Sequence, residues 1–371
     1  MNVRRGVGKA WIEGVPALAE QGLRVPWLAR TSQTCTFAGA LEAALSVTEQ
    51  TCSYEDILAL SGMAFRTRWY DGENGPTGCP CAPVGETPDV KRRLPAAIGW
   101  QFDEYAADGW DKPGMQGAQE AVVRSIDAGR PVPVVDRHLN SVVAYGYAEG
   151  GEVLLLKTLL DGVYECSLSE LGQDPSLAHV LLGPEEPLPL PQAFRDVVSD
   201  AAKRWYRVEA EWIPNKLKNG RAALQAWIRG LEQHEALSVR VDAGQLLFYH
   251  LWAYKHLWDA RRAAANFLSG HATVFPAAQE ALLKAASHYR QEADLVGAAY
   301  DDPGTYIGSF EDLGACIGAS GYEDTDATKW TPDMRRRERQ ILARCLDLER
   351  AAVEAMRDAV PKMALSDQVE R

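Results

Sequence analysis

The stretch Val132-Pro133-Val134-Val135-Asp136-Arg137-His138-Leu139-Asn140-Ser141-Val142-Val143-Ala144-Tyr145-Gly146-Tyr147-Ala148-Glu149-Gly150-Gly151-Glu152-Val153-Leu154-Leu155-Leu156-Lys157-Thr158-Leu159-Leu160 decides the fold of the first half of this chain. Branched and aromatic residues fill three consecutive runs, Val132 to Arg137, Asn140 to Ala148 and Glu152 to Leu160, each of strand length. Gly150-Gly151 between the last two runs reads as a hairpin turn. An antiparallel sheet is expected here, completed by a short strand from Val180 to Leu182.

Upstream of the sheet the pattern is mainly helical. Phe37, Ala38, Leu41, Ala44 and Leu45 recur at helical spacing after Cys35, which predicts a buried helix over Gln33 to Val47. Ser53 with Asp56 three residues on starts a second short helix through Leu60 as a capping box. Met63 to Tyr70 alternates like a strand, residues 71 to 90 read as a Gly- and Pro-rich loop, and helix signals return at 114 to 129.

Downstream, Glu185-Glu186-Pro187-Leu188-Pro189-Leu190-Pro191 is a stiff, extended linker. Beyond it the expected helices are Gln192 to Glu211, Gly220 to Gln233, Asp242 to Ser269, Pro276 to Tyr300 and Pro332 to Met363, with a loop over Asp301 to Thr331. The fold class is therefore α+β: a mixed domain over 1–184, a Pro-rich linker over 185–191, and an all-helical domain over 192–371.

Bulk properties narrow the function classes. A formal net charge of −12 argues against nucleic acid and against anionic membrane surfaces. No run approaches about 18 apolar residues, so no transmembrane helix is expected. The first fourteen residues hold no apolar stretch long enough for an export signal. Seven cysteines in a chain with a full core fit reduced thiols in a cytoplasm rather than a disulfide framework. The basic run Arg335-Arg336-Arg337, followed by Glu338, reads as a solvated helix face.

The segment Ser32-Gln33-Thr34-Cys35-Thr36-Phe37-Ala38-Gly39-Ala40-Leu41 is the strongest chemical signal. A cysteine at the first turn of a helix sits in the positive end of the helix dipole, which favours thiolate. Amides there can also bind an oxyanion. The alternative is a small buried cysteine that packs as a hydrophobe.

Taken with Tyr54-Glu55-Asp56-Ile57-Leu58, Ser61-Gly62-Met63-Ala64-Phe65-Arg66 and Val142-Val143-Ala144-Tyr145-Gly146-Tyr147 before Gly150-Gly151, this segment resembles the papain-like cysteine clan. Within it, the chain is similar to the double-glycine bacteriocin-processing peptidases, and most to the group around the N-terminal domain of butirosin biosynthesis protein H. The resemblance spans roughly residues 25 to 185. It implies a papain-like fold, a helix-borne nucleophile at Cys35, and a sheet that supplies a histidine and a carboxylate or amide. It also implies acyl transfer through a thioester, to water or to an amine, from a small-molecule or carrier-protein-bound acyl substrate.

Matching the pattern residue by residue gives a partial set. The histidine of the peptidases opens the strand about six residues before Gly-Tyr, where this chain has Asn140; His138 lies two residues earlier, on the same face of an extended strand. The third position carries Lys157-Thr158, with Asp161 a few residues late. Gln33 stands two residues before Cys35 as the oxyanion glutamine. Two readings follow: Cys35 as nucleophile with His138 as base and Asp161 or Asn140 as orienting group, or a catalytically silent domain that binds a small molecule or protein partner.

Other candidates are weaker. His250, Tyr254 and Trp258 recur every fourth residue along one helix face, so they read as core, as the wall of an aromatic substrate pocket, or, for His250, as a base from the second domain. Asp259, Arg261 and Arg262 suit either a clamp on an anion or surface ion pairing. Cys79-Pro80-Cys81 lacks the second ligand pair a structural zinc site uses, so no metal is expected. No cofactor motif occurs: GxGxxG, P-loop, HExxH and GxSxG patterns are all missing.

Overall fold

A computed structural model of the chain describes residues 3–16, 34–70, 88–105, 112–135, 141–157, 163–167, 178–207, 217–238, 242–307 and 327–369. In chain order the elements are β1 (Val3–Gly6), β2 (Lys9–Ile12), α1 (Thr36–Leu45), α2 (Tyr54–Leu60), β3 (Arg68–Tyr70), α3 (Pro88–Ile98), β4 (Trp100–Tyr105) and α4 (Lys112–Asp127). There follow β5 (Val132–Val135), β6 (Ser141–Ala148), β7 (Val153–Lys157), β8 (Val163–Ser167) and β9 (Ala178–Pro184). The remainder is α5 (Leu190–Arg204), β10 (Leu217–Asn219), α6 (Gly220–Glu232), α7 (His234–Leu237), α8 (Ala243–His271), α9 (Gln279–Ala299) and α10 (Pro332–Val369). The chain is α+β, with an antiparallel sheet and a helical C-terminal region.

Packing divides the chain into two compact units: Met1–Ile57 with Leu94–Leu188, and Leu58–Arg93 with Pro189–Arg371. The last division falls inside the Pro-rich segment expected as linker. The segment 58–93, expected within the first domain, belongs to the second unit.

The first unit is organised by β6. One edge of β6 carries β5 along Ser141–Ala144 and β2 along Gly146–Tyr147; the other edge carries β7, and β8 follows β7. The sheet runs β1-β2-β6-β5-β9-β4. Register shifts between Ala144 and Gly146, so Tyr145 is a bulge that bends the strand. Gly146 is required at that bend, because a Cβ would lie 2.7 Å from the Ala10 carbonyl oxygen and 2.8 Å from Trp11 Cβ.

Helix α1 packs on β5 and β6. All its residues except Glu42 are buried, and the small residues Ala38, Gly39, Ala40, Ala43 and Ala44 let it approach the strands closely. The cap of α2 forms as its sequence predicts: the Asp56 N–H donates to Ser53 Oγ at 3.1 Å, and Ser53 Oγ donates to Asp56 Oδ2 at 2.7 Å.

The expected order, helices before sheet, needs correction. β1 and β2 precede every helix and join the sheet through β6. β4, β8 and α3 also appear where no element was read, and only Arg68–Tyr70 of the expected strand Met63–Tyr70 is extended; Met63–Phe65 is a 3-10 turn. The strands among these are short, and β2 and β4 are fixed by β6 and β9, partners distant in sequence.

The second unit is built on α8, α9 and α10, with α5 and α6 against α10. β3 pairs with β10, and Trp69 of β3 stacks on Trp227 of α6, with centroids 5.0 Å apart. The run Arg335–Arg337 is not a wholly solvated face: Arg335 is buried and donates to the Trp330 carbonyl, and Glu338 is fully buried. Among the described residues no helix is long and apolar enough to cross a membrane.

Candidate functional site

Cys35 is the N-cap of α1, with extended backbone (φ −88°, ψ 99°), and its carbonyl accepts the Gly39 N–H at 3.1 Å. Its side chain is fully buried and carries a thiol rather than a disulfide. The start of the helix is held by two ties to other elements.

The first tie is Tyr54, at the start of α2. Its phenol oxygen accepts the backbone N–H of Cys35 at 2.9 Å and that of Thr34 at 3.0 Å, while its own N–H donates to Glu42 Oε1 at 2.9 Å. Tyr54 is 1% exposed, so these bonds form away from water. The second tie is Thr36, whose hydroxyl accepts the backbone N–H of Ser141 at 3.0 Å. The first residue of α1 is thereby held to the first residue of β6. Sequence reading missed Tyr54, Thr36 and Ser141 as site residues. The signal for Tyr54 lay beside the Ser53 cap, but only tertiary structure shows where its hydroxyl reaches.

Of the residues assigned to catalysis, Cys35 is described; Gln33, His138, Asn140 and Asp161 lie outside the described residues, as do Cys79 and Cys81. Chemically, the described part offers a helix-start thiol with its own amide already donated to a phenol.

His250, Tyr254 and Trp258 belong to the second unit. The Trp227 indole donates to His250 Nδ1 at 2.7 Å, which leaves the Nε2 proton for Glu338 Oε2 at 3.0 Å. Glu338 also accepts the Trp330 indole at 2.7 Å and the Tyr306 N–H at 2.6 Å, and its carbonyl accepts the Tyr254 hydroxyl at 2.8 Å. His250 and Tyr254 are 1% and 0% exposed, with their polar atoms engaged inside. This buried centre joins α6, α8 and α10. Trp258 is half-buried, with Lys255 and Arg262 each 4.9 Å from its ring centroid.

Arg261, read as an anion clamp or a surface pair, is neither. It is fully buried, donates to Glu349 Oε1 from Nε at 3.0 Å and to the Ala64 carbonyl at 2.8 Å, and lies 3.2 Å from Glu292. Asp259 pairs with Arg262 at 3.3 Å. Among the described residues no group of three or more His, Cys, Asp or Glu could hold a metal ion. Compared with known proteins, the chain matches no family model, and no curated protein matches it.

Proposed function

We propose that the first unit is a papain-like cysteine domain that transfers an acyl group through a thioester at Cys35. One observation carries this reading. Cys35 caps a buried helix whose next residue, Thr36, is bonded to Ser141, and Ser141 follows His138-Leu139-Asn140 directly in the sequence. In this mechanism His138 takes the thiol proton and the sulfur adds to an ester, thioester or amide carbonyl. The leaving group departs with a proton from the imidazolium, and Asp161 or Asn140 orients the ring. An amine of a small molecule, or water, then resolves the Cys35 thioester. The acyl donor is a small molecule or a carrier-bound acyl group. Replacing Cys35 with Ala removes acyl transfer; full activity in that variant rules the mechanism out.

A second reading, a silent domain that binds a ligand or partner, is favoured by the Cys35 N–H. That amide, a natural oxyanion donor, is already donated to Tyr54, and the thiol is shut off from water. The rate of Cys35 alkylation by iodoacetamide against pH separates the two. A depressed thiol pKa that rises in His138→Ala supports catalysis, whereas an ordinary one unmoved by that substitution supports the silent domain.

A further inference from the structure

When a thiolate adds to an acyl donor, the carbonyl oxygen gains negative charge. An N–H within about 2.7–3.1 Å of that oxygen stabilises the charge. The backbone N–H of the nucleophile itself is covalently fixed close to the sulfur, so it is the first donor to consider. At Cys35 that donor is engaged. The Tyr54 phenol oxygen lies 2.9 Å from the Cys35 nitrogen and 3.0 Å from that of Thr34, and accepts both N–H groups. It stands at the distance from the amide that a developing oxyanion requires.

Of the two partners, the helix start is the more firmly held. Thr36 is bonded to the Ser141 N–H at 3.0 Å, α1 packs on β5 and β6, and every residue of α1 except Glu42 is buried. Tyr54 opens a helix of seven residues; Ser53 before it is exposed, and Glu55 and Asp56 after it are half-buried. Its backbone N–H donates to Glu42 Oε1 at 2.9 Å, while its hydroxyl is carried on a side chain that turns about χ1.

We infer that Tyr54 is a brake on Cys35: its phenol oxygen holds the amide that an acyl oxyanion needs, and transfer proceeds only with that hydroxyl displaced. The inference rests on the acyl-transfer reading above and adds the regulation of that site. Tyr54 is a positioning residue here, because it acts through the Cys35 backbone. The phenol oxygen is neutral, and an N–H bonds more strongly to a charged oxygen than to a neutral one. An acyl donor on the sulfur therefore gains the amide as charge develops on its own oxygen.

Two reagents that consume the same thiol separate a brake from simple loosening. With p-nitrophenyl acetate, Sγ bonds to the carbonyl carbon through an oxyanion. The C–O bond then breaks, p-nitrophenolate leaves with its electron pair, and the thiol proton passes to the base. Iodoacetamide alkylates the sulfur by displacing iodide, and no oxyanion forms. Tandem mass spectrometry of the full chain reads both rates at Cys35, with the urea-unfolded chain as reference. In folded Tyr54→Phe the ratio of acetylation to alkylation should exceed the unfolded reference about a hundredfold, the lower end of what one oxyanion donor contributes. Loosening alone speeds both reactions and leaves the ratio unmoved. The wild type gives a second test that needs no variant: its folded ratio should not exceed the unfolded reference. A wild-type ratio about a hundredfold above that reference means that the amide serves the oxyanion with Tyr54 in place, and overturns the brake. Acetylation of Cys35 with a ratio that Tyr54→Phe leaves unmoved or lowers overturns the brake alone. No acetyl group on Cys35 in either folded protein overturns the acyl-transfer reading and the brake together.

Discussion

The phenol oxygen of Tyr54 accepts the backbone N–H of Cys35 at 2.9 Å and that of Thr34 at 3.0 Å. Two adjacent amides at a helix start point at one neutral oxygen, the kind of convergence that elsewhere receives an anion. Tyr54→Phe keeps the ring and removes the acceptor, so two buried donors lose their partner. Each such loss costs about 1–3 kcal/mol, and the variant should unfold at a lower urea concentration by about 2 kcal/mol or more. An unshifted midpoint would show that the amides have another partner in solution.

Thr36 makes the complementary bond. Its hydroxyl is the acceptor for the Ser141 amide, and both residues are buried. Thr36→Val is nearly the same shape and leaves that amide unpaired, at a cost of about 1–3 kcal/mol. Hydrogen exchange should speed up at Ser141 before it changes along the middle of β6, and Thr36→Ser should restore protection. Equal exchange at Ser141 in the wild type and in Thr36→Val would refute the tie.

Cys52 gives a pH prediction that does not depend on any function. Burial pushes its thiol up to about 12, and the charges of Asp56 and Glu42 add to the shift. Only the thiolate is alkylated, so at pH 8 Cys52 should react roughly a thousandfold more slowly in the folded chain than in denaturant. The stability sign follows. As pH rises from the ordinary thiol range towards 12, the unfolded chain releases this proton while the folded chain keeps it, so the contribution of Cys52 lowers stability across that window. Mass-spectrometric mapping of the alkylated peptide, with and without urea, reads the first effect; Cys52→Ser should lessen the alkaline loss of stability.

The elements read correctly from sequence are those whose cause is local. The α2 cap rests on Ser53 and Asp56, three residues apart, and the β6–β7 hairpin on Gly150 and Gly151 between two apolar runs. The long helices of the second unit were found by their periodicity to within a few residues, apart from some ends. What could not be read depends on distant partners. β2 joins the sheet through β6, where Ala10 and Trp11 pair with Tyr147 and Gly146 far along the chain, and the exposed, charged β1 follows by pairing with β2. Arg261 looks like any helix-surface arginine in sequence, and Glu349 and Ala64, which fix it inside, stand 88 and 197 residues away. At the candidate site the sequence marks Cys35 through its helix start, whereas the hydroxyl of Tyr54 has no local reason to seek the Cys35 amide.

The ion cluster around Arg261 yields the sharpest test of the second unit. Glu349 accepts from Arg261 and from the Thr67 hydroxyl at 2.6 Å, so it is the matched counter-ion. Glu292, also fully buried, is held well above the ordinary carboxylate value of about 4.5, first by burial and then by the charge of Glu349, against the opposing pull of Arg261. It therefore keeps its proton in the folded state over a pH range in which the unfolded chain loses it. With its folded pKa raised, stability falls as pH climbs from about 4.5 towards that folded value. Glu292→Gln mimics the protonated form and removes this penalty. The variant should lie within about 1 kcal/mol of wild type at pH 4.5 and gain on it as pH rises to 7. Arg261→Met should behave in the opposite way, since it strands Glu349 without a cation, at a cost of about 3–5 kcal/mol at neutral pH. Urea midpoints at the two pH values decide the matter, because an ionised Glu292 would make Glu292→Gln lose ground with rising pH.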